Sequence, residues 1–141
     1  MKKVMFAGMV LVVGAVNVFA DCTTDPAVSA SVLAGTYVDA SGGTGNWKES
    51  HCSGGELWKA GDNDPENPLV DPPAQIGTWS TSGDFVTYIY TRGKEDESFT
   101  FELHKNDNGT PTEANDDTYY FCESGVVKAT GSLSTSTTCG S

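Results

Sequence analysis

The strongest constraint on the fold is a two-residue alternation of apolar and polar side chains over residues 84–91 and 97–105. Such alternation predicts β-strands that have one buried face and one exposed face. The residues between the two segments are polar and include Gly93, which is typical of a hairpin connection. The sequence therefore predicts an antiparallel hairpin, with Phe99, Phe101 and Leu103 on the buried face.

Shorter strand-like segments follow the same logic in the rest of the chain, and no amphipathic helix of useful length accompanies them. These segments are Leu33–Asp39, Asn46–Cys52, Glu56–Lys59, Gln75–Ser80, Thr118–Glu123 and Val126 to about Thr138. With the hairpin they make eight strands, joined mostly by short Gly-rich turns. Many short strands in close succession favour an all-β sandwich or barrel, and the short connections favour an antiparallel up-and-down β-barrel.

The first twenty residues have the order of a secretory signal peptide. Lys2 and Lys3 precede an apolar run from Val4 to Val18, and Val18-Phe19-Ala20 fits a cleavage site. Asp21 makes the run shorter than the roughly 20 residues that a membrane-spanning helix needs. We therefore expect residues 1–20 to be removed and residues 21–141 to form one domain, periplasmic or secreted, without membrane insertion.

Four cysteines remain in the expected mature chain: Cys22, Cys52, Cys122 and Cys139. An even number in an exported chain predicts two disulfides, for which three pairings exist. A two-residue turn at Thr130-Gly131 would place Cys122 opposite Cys139, and this favours the pairs Cys22–Cys52 and Cys122–Cys139. The pairs Cys22–Cys139 and Cys52–Cys122 remain an alternative, because the termini of a closed barrel lie close together.

The charge of the chain limits its partners. Without residues 1–20 the chain has six basic and nineteen acidic residues, which gives a net charge of −13. Such a negative surface repels nucleic acid and anionic lipid. The acidic loop at Asp62, Asp64 and Glu66 has oxygen ligands at alternate positions but lacks the glycine and the glutamate of a calcium loop. We expect neither a metal nor a cofactor.

Catalytic motifs are absent: the sequence has no Gly-x-Ser-x-Gly, no His-Glu-x-x-His and no phosphate-binding loop. His51 shares a strand face with Trp47 and Glu49, which is compatible with an acid–base or ligand-binding cluster. The favoured interpretation of this group is the mixed edge of a half-buried strand. His104 lies on the polar face of its strand, where we expect it to be exposed. No catalytic residue is assigned, and the chain is not expected to be an enzyme.

Aromatic residues are the best remaining indication of function. Three tryptophans and five tyrosines are numerous for a domain of this size. Inside a barrel such side chains either fill the core or line a ligand pocket, because they combine apolar area with a polar tip. The candidate ligand-binding residues are Trp47, Glu49, Trp79 and Tyr88.

Leu33-Ala34-Gly35-Thr36-Tyr37 opens the first predicted strand, and Ile76-Gly77-Thr78-Trp79 opens the fourth, which is followed by a Gly83-Asp84 turn. These two motifs resemble those of small bacterial lipocalin-like proteins, which are calycin-type barrels. Avidin-type barrels begin with a similar motif. The resemblance implies an eight-stranded barrel with a pocket in its interior or at its mouth, but it brings neither a ligand nor a site residue with it.

These features together predict an exported, non-enzymatic β-barrel that binds a small molecule or a protein partner. A structural or self-assembling surface or filament component is the alternative, since the Ser/Thr-rich tail from Ser132 to Ser141 suits a strand shared with a neighbouring subunit. An enzyme inhibitor that presents a long acidic loop is a further alternative. The identity of the ligand or partner and the oligomeric state do not follow from the sequence.

Overall fold

The computed structural model describes residues 22–43, 45–59, 73–91, 95–135 and 137–140. Strands β1 to β8 are Thr36–Gly42, Gly45–His51, Glu56–Lys59, Ala74–Ser82, Phe85–Tyr90, Glu97–Asn106, Thr118–Glu123 and Val126–Ser134. Each strand pairs antiparallel with the next, and β1 pairs with β8, so that the sheet closes on itself. The predicted eight-stranded antiparallel barrel is confirmed. The predicted signal peptide lies outside the described residues, and the extent of the domain stays a prediction.

The hairpin predicted from the alternating pattern is formed by β5 and β6. Val86 pairs with Phe101 and Tyr88 pairs with Phe99, and these side chains point into the barrel. On the outer face Thr87 pairs with Thr100, and their hydroxyl groups are hydrogen-bonded at 2.9 Å. Alternating residues therefore divide between the interior and the outer surface as a half-buried strand requires.

The barrel closes along the seam between β1 and β8, and the turn at Thr130-Gly131 on which the favoured disulfide pairing depended is not formed. β8 runs without interruption through Gly131, which pairs with Ala40 of β1. A Cβ atom on Gly131 would lie 2.6 Å from the Cβ of Ala40 and 2.6 Å from the carbonyl oxygen of Asp39. Glycine is needed there for close approach of two strands rather than for a turn. The turn before β8 lies at Ser124-Gly125, where both residues have positive φ.

One end of the barrel is closed by a short 3₁₀ helix, Ala30–Leu33. Ala30 and Leu33 are fully buried in the hydrophobic core. The helix is joined to the β4–β5 turn by a hydrogen bond of 2.9 Å from the Ala30 amide to the Gly83 carbonyl oxygen. We call this the helix end. The opposite end, where β1 meets β2 and β5 meets β6, is called the mouth.

The two predicted disulfides are present, but with a different pairing from the favoured one. Cys22 is bonded to Cys122, and Cys52 is bonded to Cys139. Neither the favoured scheme, Cys22–Cys52 with Cys122–Cys139, nor the alternative of Cys22–Cys139 with Cys52–Cys122 is found.

The path of the chain ends explains the pairing. Because β8 continues to Ser134, it returns the chain to the helix end, where Cys52 follows β2. There the Thr138 amide donates a hydrogen bond of 2.8 Å to the Ser50 hydroxyl, which places Cys139 beside Cys52. Cys122 pairs with Glu102 and so lies on the outer face, where the N-terminal segment crosses β6 and brings Cys22 within reach.

The same N-terminal segment buries His104, which the sequence placed in solvent. Its strand face was predicted correctly, but Ala27 forms a β-bridge with His104 and leaves the histidine only 6 % exposed. Nδ1 lies 2.7 Å from the Asp25 carbonyl oxygen, and Nε2 lies 2.9 Å from a Glu102 carboxyl oxygen. Burial lowers the pKa of His104, but these two acceptors outweigh it, so the pKa is raised above its ordinary value.

Trypsin offers a direct test of the disulfide pairing, because cleavage after Lys48, Lys59, Lys105 and Lys128 places each cysteine in a separate peptide. Without reduction, we expect mass spectrometry to find peptide 106–128 linked to the peptide that ends at Lys48. Peptide 49–59 should be linked to peptide 129–141. A link between peptides 106–128 and 129–141 would contradict the structure.

Candidate functional site

The four candidate ligand-binding residues all lie inside the barrel. Trp47 and Glu49 come from β2, Trp79 from β4 and Tyr88 from β5. The Trp47 ring lies 5.7 Å from Phe101 across the barrel, and Phe101 in turn lies 6.2 Å from Tyr88. The structure therefore brings these positions, which are far apart in sequence, into one connected interior cluster.

Two hydrogen bonds cross the interior between β2 and β5. The Tyr90 hydroxyl donates to a Glu49 carboxyl oxygen at 2.9 Å. The Tyr88 hydroxyl and the Nε2 atom of His51 are hydrogen-bonded at 2.8 Å. Glu49 and His51 are two residues apart on one strand, as Tyr88 and Tyr90 are on the other, so a two-residue period places both pairs in the interior. We call these four residues the cross-barrel pairs.

His51 occupies the deeper position and is fully buried. The edges of two rings pack around it, since Trp79 lies at 5.0 Å and Tyr88 at 5.3 Å between ring centroids. Burial lowers the pKa of His51 to about 4, although the Glu49 backbone carbonyl acts in the opposite direction. The imidazole is therefore neutral near pH 7. Its Nδ1 atom is buried and has no hydrogen-bond partner within the described part of the chain.

Trp79 is anchored rather than free to follow a ligand. Its indole N–H donates a hydrogen bond of 2.9 Å to the carbonyl oxygen of Cys52. Cys52 is itself tied to Cys139, so the position of Trp79 depends on the turn that this disulfide holds. This candidate residue therefore belongs to the densely packed part of the interior near the helix end.

Glu49 lies nearer the mouth and is only 6 % exposed. Burial raises the pKa of its carboxyl group to about 7, and the hydrogen bond from Tyr90 opposes that shift without cancelling it. Both tyrosine hydroxyls stay protonated, because burial and the nearby Glu49 raise their pKa values. Glu49 is thus an interior carboxyl group that exchanges its proton near neutral pH.

Aromatic side chains become more exposed from Glu49 toward the mouth. Trp47 and Tyr90 are half-buried, and Phe99 is 43 % exposed although its ring lies on the inward face of β6. Tyr90 and Phe99 are in edge contact at 6.0 Å, and Phe99 stacks on the buried Phe101 at 6.4 Å. We call Trp47, Tyr90 and Phe99 the aromatic mouth. It lies on the mouth side of the Glu49 carboxyl group, to which Tyr90 is hydrogen-bonded.

Tyr90 and Phe99 were not among the candidate residues predicted from the sequence, and His51 was named but not chosen as a candidate. The favoured interpretation of His51, as part of a mixed strand edge, is wrong, because β2 lies between β1 and β3 and the ring is buried inside. The spacing of Glu49 with His51 and of Tyr88 with Tyr90 is the signal that places the members of each pair on one face of their strand. It does not reveal which inward residues meet across a barrel.

Metal binding finds no support among the described residues, which contain no group of three His, Cys, Asp or Glu side chains placed to hold an ion. The acidic loop at Asp62, Asp64 and Glu66 lies outside them. In the described part of the chain no helix is long and apolar enough to cross a membrane. Comparison of the chain with protein-family models, curated proteins and solved structures finds no match. The lipocalin-like resemblance therefore stays a prediction.

Glu49→Gln tests the buried carboxyl group through stability. The pKa of Glu49 in the folded protein, about 7, exceeds its ordinary value of 4.5, so ionisation destabilises the fold as the pH rises through this interval. Above about pH 7 the ionised carboxyl group lowers the free energy of unfolding by roughly 3 kcal/mol, because each pKa unit corresponds to about 1.4 kcal/mol. Urea unfolding should show the variant more stable than wild type by about 2–3 kcal/mol at pH 8.5, but not at pH 4.5.

The control is Glu123→Gln, because Glu123 is exposed and only weakly paired with Lys128 at 3.9 Å. It should change the free energy of unfolding by less than about 0.5 kcal/mol at either pH. An equal effect of Glu49→Gln at both pH values would show that Glu49 does not ionise in the way described.

Proposed function

We propose that this chain is an exported, non-enzymatic β-barrel protein that binds a small amphipathic molecule at the aromatic mouth. Export is supported by the two disulfides, which persist in oxidising compartments. The signal-like residues 1–20 support the same compartment. The resemblance to lipocalin-like proteins implies a pocket in the interior or at the mouth, and this expectation agrees with the proposal.

The observation that carries the proposal is the partly exposed aromatic mouth above a buried carboxyl group. Small-molecule sites are typically apolar and aromatic, with a few placed polar groups that orient the ligand. Trp47, Tyr90 and Phe99 supply the apolar rim, and Glu49 supplies the polar group. Toward the helix end Leu33 and His51 are fully buried, so a ligand would enter from the mouth and stop near Glu49.

Self-assembly through the C-terminal tail is less well supported. The tail is predicted to offer a free strand, but its residues up to Ser134 pair with β1 and so form part of the barrel sheet. Cys139 is bonded to Cys52, and the Thr138 amide is hydrogen-bonded to Ser50. The described tail residues are thus held by their own chain, and the observation that motivated this alternative no longer favours it.

Two phenylalanines of similar exposure allow a matched test. Phe99 is 43 % exposed and faces the interior, whereas Phe85 is 47 % exposed and lies on the outer face of β5. With the neutral dye Nile red as probe, we expect saturable binding and a rise in dye fluorescence. Phe99→Ala should weaken the affinity roughly tenfold or more, because about 1.5–3 kcal/mol of apolar contact is lost.

Phe85→Ala should leave the affinity for Nile red within about twofold of wild type, because the loss of apolar area weakens binding only where the dye covers that area. Absence of saturable binding to wild type would contradict the proposal. So would equal weakening by the two substitutions, because it would place the dye on the outer surface.

A further inference from the structure

The chemistry around Glu49 narrows the class of ligand, provided that the proposed function holds. The carboxyl group is nine-tenths buried, and among the described residues Tyr90 is its hydrogen-bond donor, at 2.9 Å. A carboxylate has room for about four accepted hydrogen bonds across its two oxygens. The Tyr90 hydroxyl occupies one of these positions, so the carboxylate is able to accept further hydrogen bonds from a ligand. A ligand that reaches Glu49 is therefore expected to bring further donors.

The aromatic mouth favours the same kind of ligand. Indole and phenol rings attract a cation that lies over their faces, and aromatic rings around a carboxylate are well suited to an alkylammonium group. Trp47 comes two residues before Glu49 on the same face of β2, and Tyr90 contacts both Glu49 and Phe99. A cation bound by Glu49 would thus lie among these rings, and its hydrocarbon part would extend toward the mouth.

The charged and titratable groups around Glu49 agree with a cationic ligand. On β2 the neighbouring His51 is neutral near pH 7, and on β5 the two tyrosines are neutral. On β3 the cation Lys59 pairs with Glu49 in the strand register, and the pKa of Glu49 is nevertheless raised, because burial outweighs the opposing hydrogen bond from Tyr90. The chain as a whole has a net charge of −11, which raises the local concentration of cations.

We infer that the ligand of the aromatic mouth is a small alkyl or aryl amine in its protonated form, whose ammonium group binds the Glu49 carboxylate while its hydrocarbon part contacts Trp47, Tyr90 and Phe99. Without ligand, Glu49 carries a proton much of the time near neutral pH. Binding of the cation favours the ionised carboxylate, so the proton of Glu49 is released to solvent. The affinity for an amine should therefore rise with pH up to about 7 and then level off.

Three probes of equal chain length separate charge from apolar contact: octylamine, 1-octanol and octanoate. Each is titrated against wild-type protein by calorimetry and by displacement of Nile red. At pH 8 we expect octylamine to bind about tenfold or more tightly than octanol, equivalent to about 1.4 kcal/mol, and octanoate to bind most weakly. Between pH 5.5 and 6.5 the octylamine affinity should rise by up to about tenfold, whereas the octanol affinity should not rise.

Glu49→Gln keeps the size of the side chain and removes its charge. In this variant the preference for octylamine over octanol should fall to within about twofold, while octanol still binds; Glu123→Gln should keep the full preference. A preference that survives Glu49→Gln, or equal binding of all three probes to wild type, would overturn the inference and leave the proposed function intact. If neither the dye nor any probe binds wild type, the proposed function itself fails.

The pH profile of wild type provides a test that does not depend on the variant. If Glu49→Gln fails to fold, a rise in octylamine affinity that levels off near pH 7 still supports the inference. An octylamine affinity that is flat between pH 5.5 and 8, or an octanol affinity that rises in parallel, overturns it.

Discussion

Closure of the sheet between its first and last strands is the constraint on which the rest of this structure depends. β1 and β8 approach so closely that a side chain at Gly42 or Gly131 would collide with the facing backbone: a Cβ on Gly42 would lie 2.0 Å from the Lys128 carbonyl oxygen. These two glycines therefore permit the seam to form. Once the seam is closed, every second residue of each strand faces a single narrow interior, and strands that are not neighbours contact each other across it. The position of Cys139 beside Cys52 also follows, because β8 must run its full length along β1 before the tail begins.

The interior that results is not a uniformly apolar core. Two polar side chains of β2, Glu49 and His51, are hydrogen-bonded to two tyrosines of β5. Phenol hydroxyls thus replace the water that would be their hydrogen-bond partner in the unfolded chain. Burying such groups costs free energy that one hydrogen bond each does not fully offset. Glu49 responds by holding its proton up to about pH 7, and His51 responds by staying neutral. A barrel selected for stability alone is better served by apolar residues at both positions. The polar interior is therefore the feature on which the proposed ligand-binding role rests.

Much of the fold could be predicted from local sequence. The two-residue alternation around Tyr88 and Phe101 assigns the strands, their connections and their inward faces, because these depend on neighbours along the chain. The common strand face of Trp47, Glu49 and His51 follows for the same reason, but the alternation does not determine whether that face points inward. Contacts between distant strands could not be predicted. The favoured disulfide scheme required a turn at Gly131, but glycine serves both turns and close approaches, and only the closed sheet distinguishes the two.

The carboxyl group of Glu49 is buried by the fold, has a raised pKa because of that burial, and is the group that the proposed ligand binds. Its titration can be followed directly by carbon NMR of protein labelled at the glutamate side-chain carboxyl, with the resonance assigned by its loss in Glu49→Gln. The account predicts a midpoint near pH 7, well above the ordinary value of 4.5, and a downward shift of that midpoint when octylamine is added. A midpoint close to 4.5 in the free protein would contradict it, because the carboxyl group would then be ionised and solvated rather than buried beneath the aromatic mouth.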